Sequence, residues 1–220
     1  MSEVQSRTEP VAFDREYSRR NFLKTAAWVG AALSAAGIGG VGFATRYANA
    51  QDAAYNTYLD LAPADIVTLA YQLELLEGTF YAEGVNAGIF NDFAVTQLAA
   101  IRDHEMAHAD ALAGILGELG APVPETPNFT FPEGVFSDPV AFLELAATLE
   151  PVGIGAYQGA APAIMGTEYL APALSIHNAE CMHWNAIKIL QGVVPPNNVA
   201  FEEALPVGAV QEAAAPFGIG

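Results

Sequence analysis

The chain has 220 residues, 52% of them hydrophobic, which is enough for one domain with a real core and too little for two large ones. Its formal charge is −17, and its one cysteine, Cys181, excludes an internal disulfide. So acidic a body is a poor partner for nucleic acid or for an anionic lipid surface.

The first fifty residues read as a targeting segment. Ser18-Arg19-Arg20-Asn21-Phe22-Leu23-Lys24 fits the S-R-R-x-F-L-K pattern of twin-arginine export signals, with Arg19 and Arg20 as the pair. An apolar run rich in Ala and Gly follows from Thr25 to Thr45, and Ala48-Asn49-Ala50 supplies a small-x-small cleavage site. The run is borderline in length for a membrane anchor, and its glycines weaken a helix. The expectation is a signal at 1–50, cleaved before Gln51, and an extracytoplasmic or periplasmic destination reached through the twin-arginine export machinery. Only Arg102 and Lys188 among the basic residues follow Ala50, against 21 acidic ones, so residues 51–220 carry a formal charge of −19.

Four helical segments come next. The first spans about Pro63 to Val85, with Ile66, Leu69, Ala70, Leu73, Leu76, Phe80 and Tyr81 at helical spacing and Pro63 in the first turn. The second spans about Asp92 to Leu119. A proline-rich stretch from Ala121 to Phe136 reads as a long connection. The third starts at Asp138 as N-cap with Pro139 behind it and reaches about Ala160. The fourth spans about Thr167 to Gln191. No alternating strand pattern occurs between Gln51 and Gly192. Two short links and one long one predict an all-α four-helix bundle with one crossover over 51–192, preceded by a signal helix, with a tail at 193–220 packed on it. Pro151, inside the third helix, is expected to kink it and to displace Glu150.

A chemical repeat runs through these helices. Glu74 and Glu150 are each followed by a tyrosine seven residues on, Tyr81 and Tyr157, and the next helix in each case carries Glu-x-x-His: Glu105 with His108, and Glu180 with His183. Residues three apart share a helix face, so each Glu-His pair can reach one ion. A step of seven is nearly two turns, which puts each tyrosine on its glutamate's stripe, within reach of a ligand carboxylate. Glu74 sits among leucines and Glu150 follows Leu145, Ala146, Ala147 and Leu149. Buried carboxylates need compensation; two divalent cations cancel the −4 that Arg102 and Lys188 alone must otherwise meet. Two Glu plus two Glu-x-x-His is the ligand set of ferritin-like di-metal bundles, and the donors suit iron or manganese, with zinc compatible. Glu77, one turn past Glu74, can replace or supplement it, and His177, three before Glu180, can serve as an outer partner or an extra ligand. His104 is read as a capping or surface residue, and Cys181, Met182, Trp184 and Phe80 as core.

Leu73-Glu74-Leu75-Leu76-Glu77-Gly78-Thr79-Phe80-Tyr81 resembles the first-helix signature of ferritin-like proteins of the desiccation-related type. Glu105-Met106-Ala107-His108-Ala109-Asp110-Ala111-Leu112 resembles the second-helix signature of ferritins and rubrerythrins, and Glu150 with Tyr157-Gln158-Gly159-Ala160 and Glu180 through His183 resemble the later counterparts. The tail around Val194-Pro195-Pro196, Phe201-Glu202-Glu203 and Ala215-Pro216-Phe217 also resembles that branch. The resemblance implies a ferritin-like fold and a di-iron or di-manganese site.

Three functions follow as expectations. The first is a redox protein in which Glu105 and Glu180 bridge two metal ions, Glu74 and Glu150 are terminal ligands, His108 and His183 hold one ion each, and dioxygen or peroxide is the small-molecule substrate. The second is a non-catalytic desiccation or stress protein on the same bundle. The third reads His104-Glu105-Met106-Ala107-His108 as the H-E-x-x-H helix of a zinc protease. No storage shell is expected; a homodimer is compatible with the sequence.

Overall fold

The computed structural model describes residues 51–219, so the twin-arginine motif and the cleavage site lie outside the described residues. A helical stretch at 51–59 leads into α1 (Pro63–Asn86) and α2 (Asp92–Glu118). A crossover at 119–138 then reaches α3 (Pro139–Ala160), which runs into a 3-10 turn (Ala161–Ile164). α4 (Leu170–Leu190) and a short α5 (Val207–Ala214) complete the helices. Among the described residues there is no strand. The bundle is all-helical, as the spacing predicts. Sequence reading missed α5, and α4 starts three residues later than expected.

Local chemistry sets the helix starts. Pro63 occupies the first turn of α1, where its missing N–H is harmless. The Asn91 side chain accepts from the Ala94 amide at 3.1 Å, and the Asp138 side chain accepts from the Val140 amide at 2.8 Å. Pro151 gives a different result from the expected displacement. α3 continues through it, and Glu150 is fully buried. A proline removes one ladder hydrogen bond, but Phe142, Ala146, Leu149, Ile154 and Tyr157 around it are buried, and that packing holds the helix in place.

α1 pairs most extensively with α2, and α3 with α4, so two helical hairpins face each other. Near one end an aromatic group fills the space between them. Phe80 stacks on Phe142 with ring centroids 4.2 Å apart, and Phe90, Phe131 and Phe136 lie against these rings. The crossover and the tail meet there: the Thr130 amide donates to the Phe217 carbonyl at 3.1 Å. Ala214 of α5 and Phe217 are buried in the same cluster as Leu73, Leu76 and Leu149. The tail thereby covers the side of the bundle formed by α1 and α3.

Other core expectations divide. Phe80 is fully buried. Met182 is exposed and Cys181 half-buried, so neither is a core residue. Trp184 is only partly buried and carries the Lys188 ammonium 3.8 Å above its ring.

Gly84 marks the tightest helix approach, because a Cβ there would lie 2.1 Å from Phe142 Cε2. Gly114 in α2 has open space at the same point. Gly114→Ala should therefore stabilise the protein by roughly 0.5–1 kcal/mol through the entropy of the unfolded chain. Gly84→Ala should destabilise it by about 1–3 kcal/mol through overpacking. Urea unfolding of both variants checks the opposite signs.

Candidate metal centre

The middle of α1 is buried nearly all round. Leu73, Leu75 and Leu76 take core positions, and Glu74 and Glu77 are buried beside them. α2 contributes the fully buried Glu105, with His108 one turn on at 14% side-chain exposure. α3 contributes Glu150, and α4 contributes Glu180 and His183, all buried. The structure thus brings all six proposed ligands together in the bundle interior.

They form two groups that share two members. Glu74, Glu105, His108 and Glu180 place one donor atom each within 4.8 Å of one another, and so do Glu105, Glu150, Glu180 and His183. Glu105 and Glu180 belong to both, as the expected bridging pair would. His108 Nδ1 stands 3.0 Å from Glu74 Oε2, 3.2 Å from Glu105 Oε2 and 3.3 Å from Glu180 Oε1. His183 Nδ1 stands 2.8 Å from Glu105 Oε1 and 3.7 Å from Glu180 Oε1.

The approaches around His183 are close without being satisfied. His183 Nδ1, Glu105 Oε1, Glu150 Oε2 and both Glu180 oxygens are buried and have no hydrogen-bond partner. Buried polar atoms ordinarily find partners, and leaving them without one is costly. Nδ1 and Oε1 lie 2.8 Å apart yet are misaligned for a hydrogen bond, so their lone pairs are available to a third body. Orphaned oxygens and an imidazole nitrogen converging on one space fit a divalent cation with oxygen and nitrogen preference.

Electrostatics leads to the same conclusion. Burial, followed by repulsion from Glu180, pushes Glu150 up to about 8. Burial and then Glu180 also raise Glu74 and raise Glu105 well above the carboxylate range. Burial by itself pulls His108 down, but the carboxylates of Glu105, Glu180 and Glu74 beside it outweigh that and lift it to about 11. Glu180 is lowered: His108 and His183 overcome its burial and keep it charged. Neither basic side chain among the described residues joins in. Arg102 pairs with Asp103 at 2.7 Å on the surface, and Lys188 bonds Asn198 at 3.3 Å. Without metal, protons must supply the neutralisation.

Both tyrosines bond ligand carboxylates, but crossed between helices. Tyr81 of α1 donates to Glu150 Oε1 of α3, and Tyr157 of α3 donates to Glu74 Oε1 of α1. Burial, then the glutamate each one meets, raises both phenols well above their ordinary value, so they remain donors. Glu77 is buried and repelled by Glu180, Glu150 and Glu74, and it stands outside both ligand groups. Gly153 leaves it room: a Cβ there would lie 3.3 Å from Glu180 Oε2 and 3.4 Å from Glu77 Oε2. His177 has a buried Nε2 without a hydrogen-bond partner and joins neither group.

His104 is exposed, as its surface reading expects, and it also makes a contact with the centre. Its Nδ1 lies 2.9 Å from His183 Nε2. When Nε2 of His183 donates that proton, Nδ1 is left as a ligand, the role an outer partner plays for a metal-binding imidazole. The signal was present as His104 one residue before Glu105, but a 100° offset on the helix concealed it. His104 belongs to neither ligand group.

A bundle with this interior is a helical protein with a carboxylate-rich centre able to hold metal. Residues 62–193 match the ferritin-like domain family, and the chain belongs to it. No curated protein matches the chain.

The metal-free protein should lose stability as pH rises. Glu150 holds its proton up to about 8 in the folded state but only to its ordinary value near 4.5 when unfolded. Between those values the folded chain binds more protons, and its stability falls with pH. His108, raised to about 11, acts in the same direction above its ordinary 6.5. Calorimetry of metal-free protein should show Tm falling from pH 5 to pH 8, and metal-loaded protein should show a much flatter curve.

Proposed function

We propose that this protein binds two iron or two manganese ions at the cluster and acts as a redox protein consuming dioxygen or peroxide after export from the cytoplasm. The observation that carries the reading is the pair of overlapping four-donor groups sharing Glu105 and Glu180. Glu74 and Glu150 complete them as terminal ligands, with His108 and His183 as one imidazole for each ion. When bound, such ions supply the electrons for reducing an oxygen species.

The chain's own residues do the rest. Tyr81 and Tyr157 fix the Glu150 and Glu74 carboxylates by donating to one oxygen of each, leaving the other for a ligand. His104 orients His183. The tail keeps water from the α1 and α3 side through Ala214 and its apolar neighbours. On the α2 side, His108 is partly open to the surface. A small oxidant has its shortest approach there. Export is supported by Arg19-Arg20 and the apolar run behind them. A route that moves folded proteins suits a centre loaded before transport.

The full chain purified after expression with iron or manganese should hold about two ions per chain and consume dioxygen or peroxide. Glu180→Ala removes a donor from both groups and should lower both metal content and turnover by about 100-fold or more. Tyr157→Phe removes an outer partner and should lower metal affinity by about 10–100-fold. Elemental analysis with an oxygen electrode reads both. Full metal content without turnover would favour a non-catalytic stress role on the same bundle.

A further inference from the structure

Beyond the ligands, the bundle holds an apolar cavity of about 40 Å³. All four helices of the bundle place it toward the same end of the cluster. Ala70 is four residues before Glu74, Leu112 four after His108, Ala156 six after Glu150 and Ile176 four before Glu180. At 1.5 Å of rise per residue, its nearer walls stand about 6 Å along the bundle from the carboxylates. Tyr157 separates the two spaces: it lines the cavity, and its hydroxyl donates to Glu74. At the far end Tyr169 is partly exposed and Pro172 exposed, so the wall reaches the surface there.

The chemistry of the walls decides the guest. Apart from three tyrosines, every lining side chain is aliphatic. Those tyrosines do not make the interior polar. Tyr157 donates its proton to Glu74, the Tyr58 oxygen is buried without open space beside it, and Tyr169 stands at the surface end. Water needs two to four polar partners to stay in such a place; a cavity without them remains dry and takes apolar guests such as xenon. Hydrogen peroxide is excluded for the same reason as water, because burying its hydroxyls unpaired is costly. Dioxygen is apolar and loses no hydrogen bond on entry. One water-sized particle occupies roughly 10–15 Å³ of such space, so about 40 Å³ takes a diatomic molecule and no large substrate.

We infer that this cavity is a binding site for dioxygen, held one helical turn from the cluster. The inference rests on the redox reading above and narrows it, because a site of this kind serves dioxygen and turns peroxide away. The opening at His108 admits any small solute from water; the cavity selects the apolar one.

Xenon tests the site and dioxygen its use. Crystals of the full chain under xenon pressure should show an anomalous peak between Ala70, Leu112 and Ile176. Dissolved dioxygen is paramagnetic. In the full chain kept free of iron and manganese, it should speed the relaxation of the Val67, Leu112 and Ile176 methyl groups well beyond that of Ile187, which is buried outside the cavity. Ala173→Leu, or Ala173→Val if the larger side chain prevents folding, fills part of the space and should weaken both signals. In the iron- or manganese-loaded chain the same change should raise the KM for dioxygen severalfold and leave that for peroxide unchanged. The inference is overturned if neither xenon nor dioxygen is detected at the cavity, if filling it leaves the signals undiminished, or if the two KM values rise equally. Gas bound at the cavity of a loaded chain that turns over neither oxidant supports the site and counts against the redox reading instead.

Discussion

Glu74, Glu77, Glu105, Glu150 and Glu180 are buried side by side in a chain that offers them neither Arg102 nor Lys188. Carboxylates removed from water repel one another strongly and resist ionisation. Much of the architecture is arranged around this constraint. Four helices must each turn one acidic face inward. Two tyrosines must cross between the hairpins to fix carboxylates, and two imidazoles must enter to share the remaining charge. Protons can neutralise such a cluster in part, but they leave His183 Nδ1 and several carboxylate oxygens without partners. A pair of divalent cations would cancel the charge of the four carboxylates in the ligand groups and give the orphaned atoms partners, while Glu77, outside both groups and held well above the carboxylate range by burial, keeps its proton.

The scaffold answers this demand unevenly. On the α1 and α3 side, the tail and the crossover lay apolar residues over the bundle and tie to each other through Thr130 and Phe217. On the α2 and α4 side, the exposed His104 pairs with the buried His183, and His108 is partly open. The centre is thus backed by apolar packing on one face and partly open at His108 on the other.

Most of the fold was legible because its signals are local and repeated. Helical periodicity, Pro63, Asn91 and Asp138 set three of the helix starts, and the doubled Glu-x-x-His fixed which faces turn inward. What was not legible depended on contacts between helices. Tyr81 and Tyr157 lie on their own glutamates' stripes, yet each bonds the glutamate of the opposite helix, which only the packing of α1 against α3 decides. His104 lies about 100° round α2 from Glu105, and only the neighbouring α4 supplies its partner, His183. Pro151 violates a local rule and is overridden by burial on both sides. α5 is too short to announce itself by periodicity and takes its place by covering the groove between α1 and α3.

The central claim is that the six side chains share two ions through Glu105 and Glu180. Anomalous diffraction from crystals of the metal-loaded full chain, recorded across the iron and manganese edges, tests it most directly. The account predicts two peaks about 3.5–4 Å apart, one beside Glu74 and His108 and the other beside Glu150 and His183, with Glu105 and Glu180 touching both. A loaded crystal with no peak inside the bundle, or with a single ion held by His104 and His108, would contradict it.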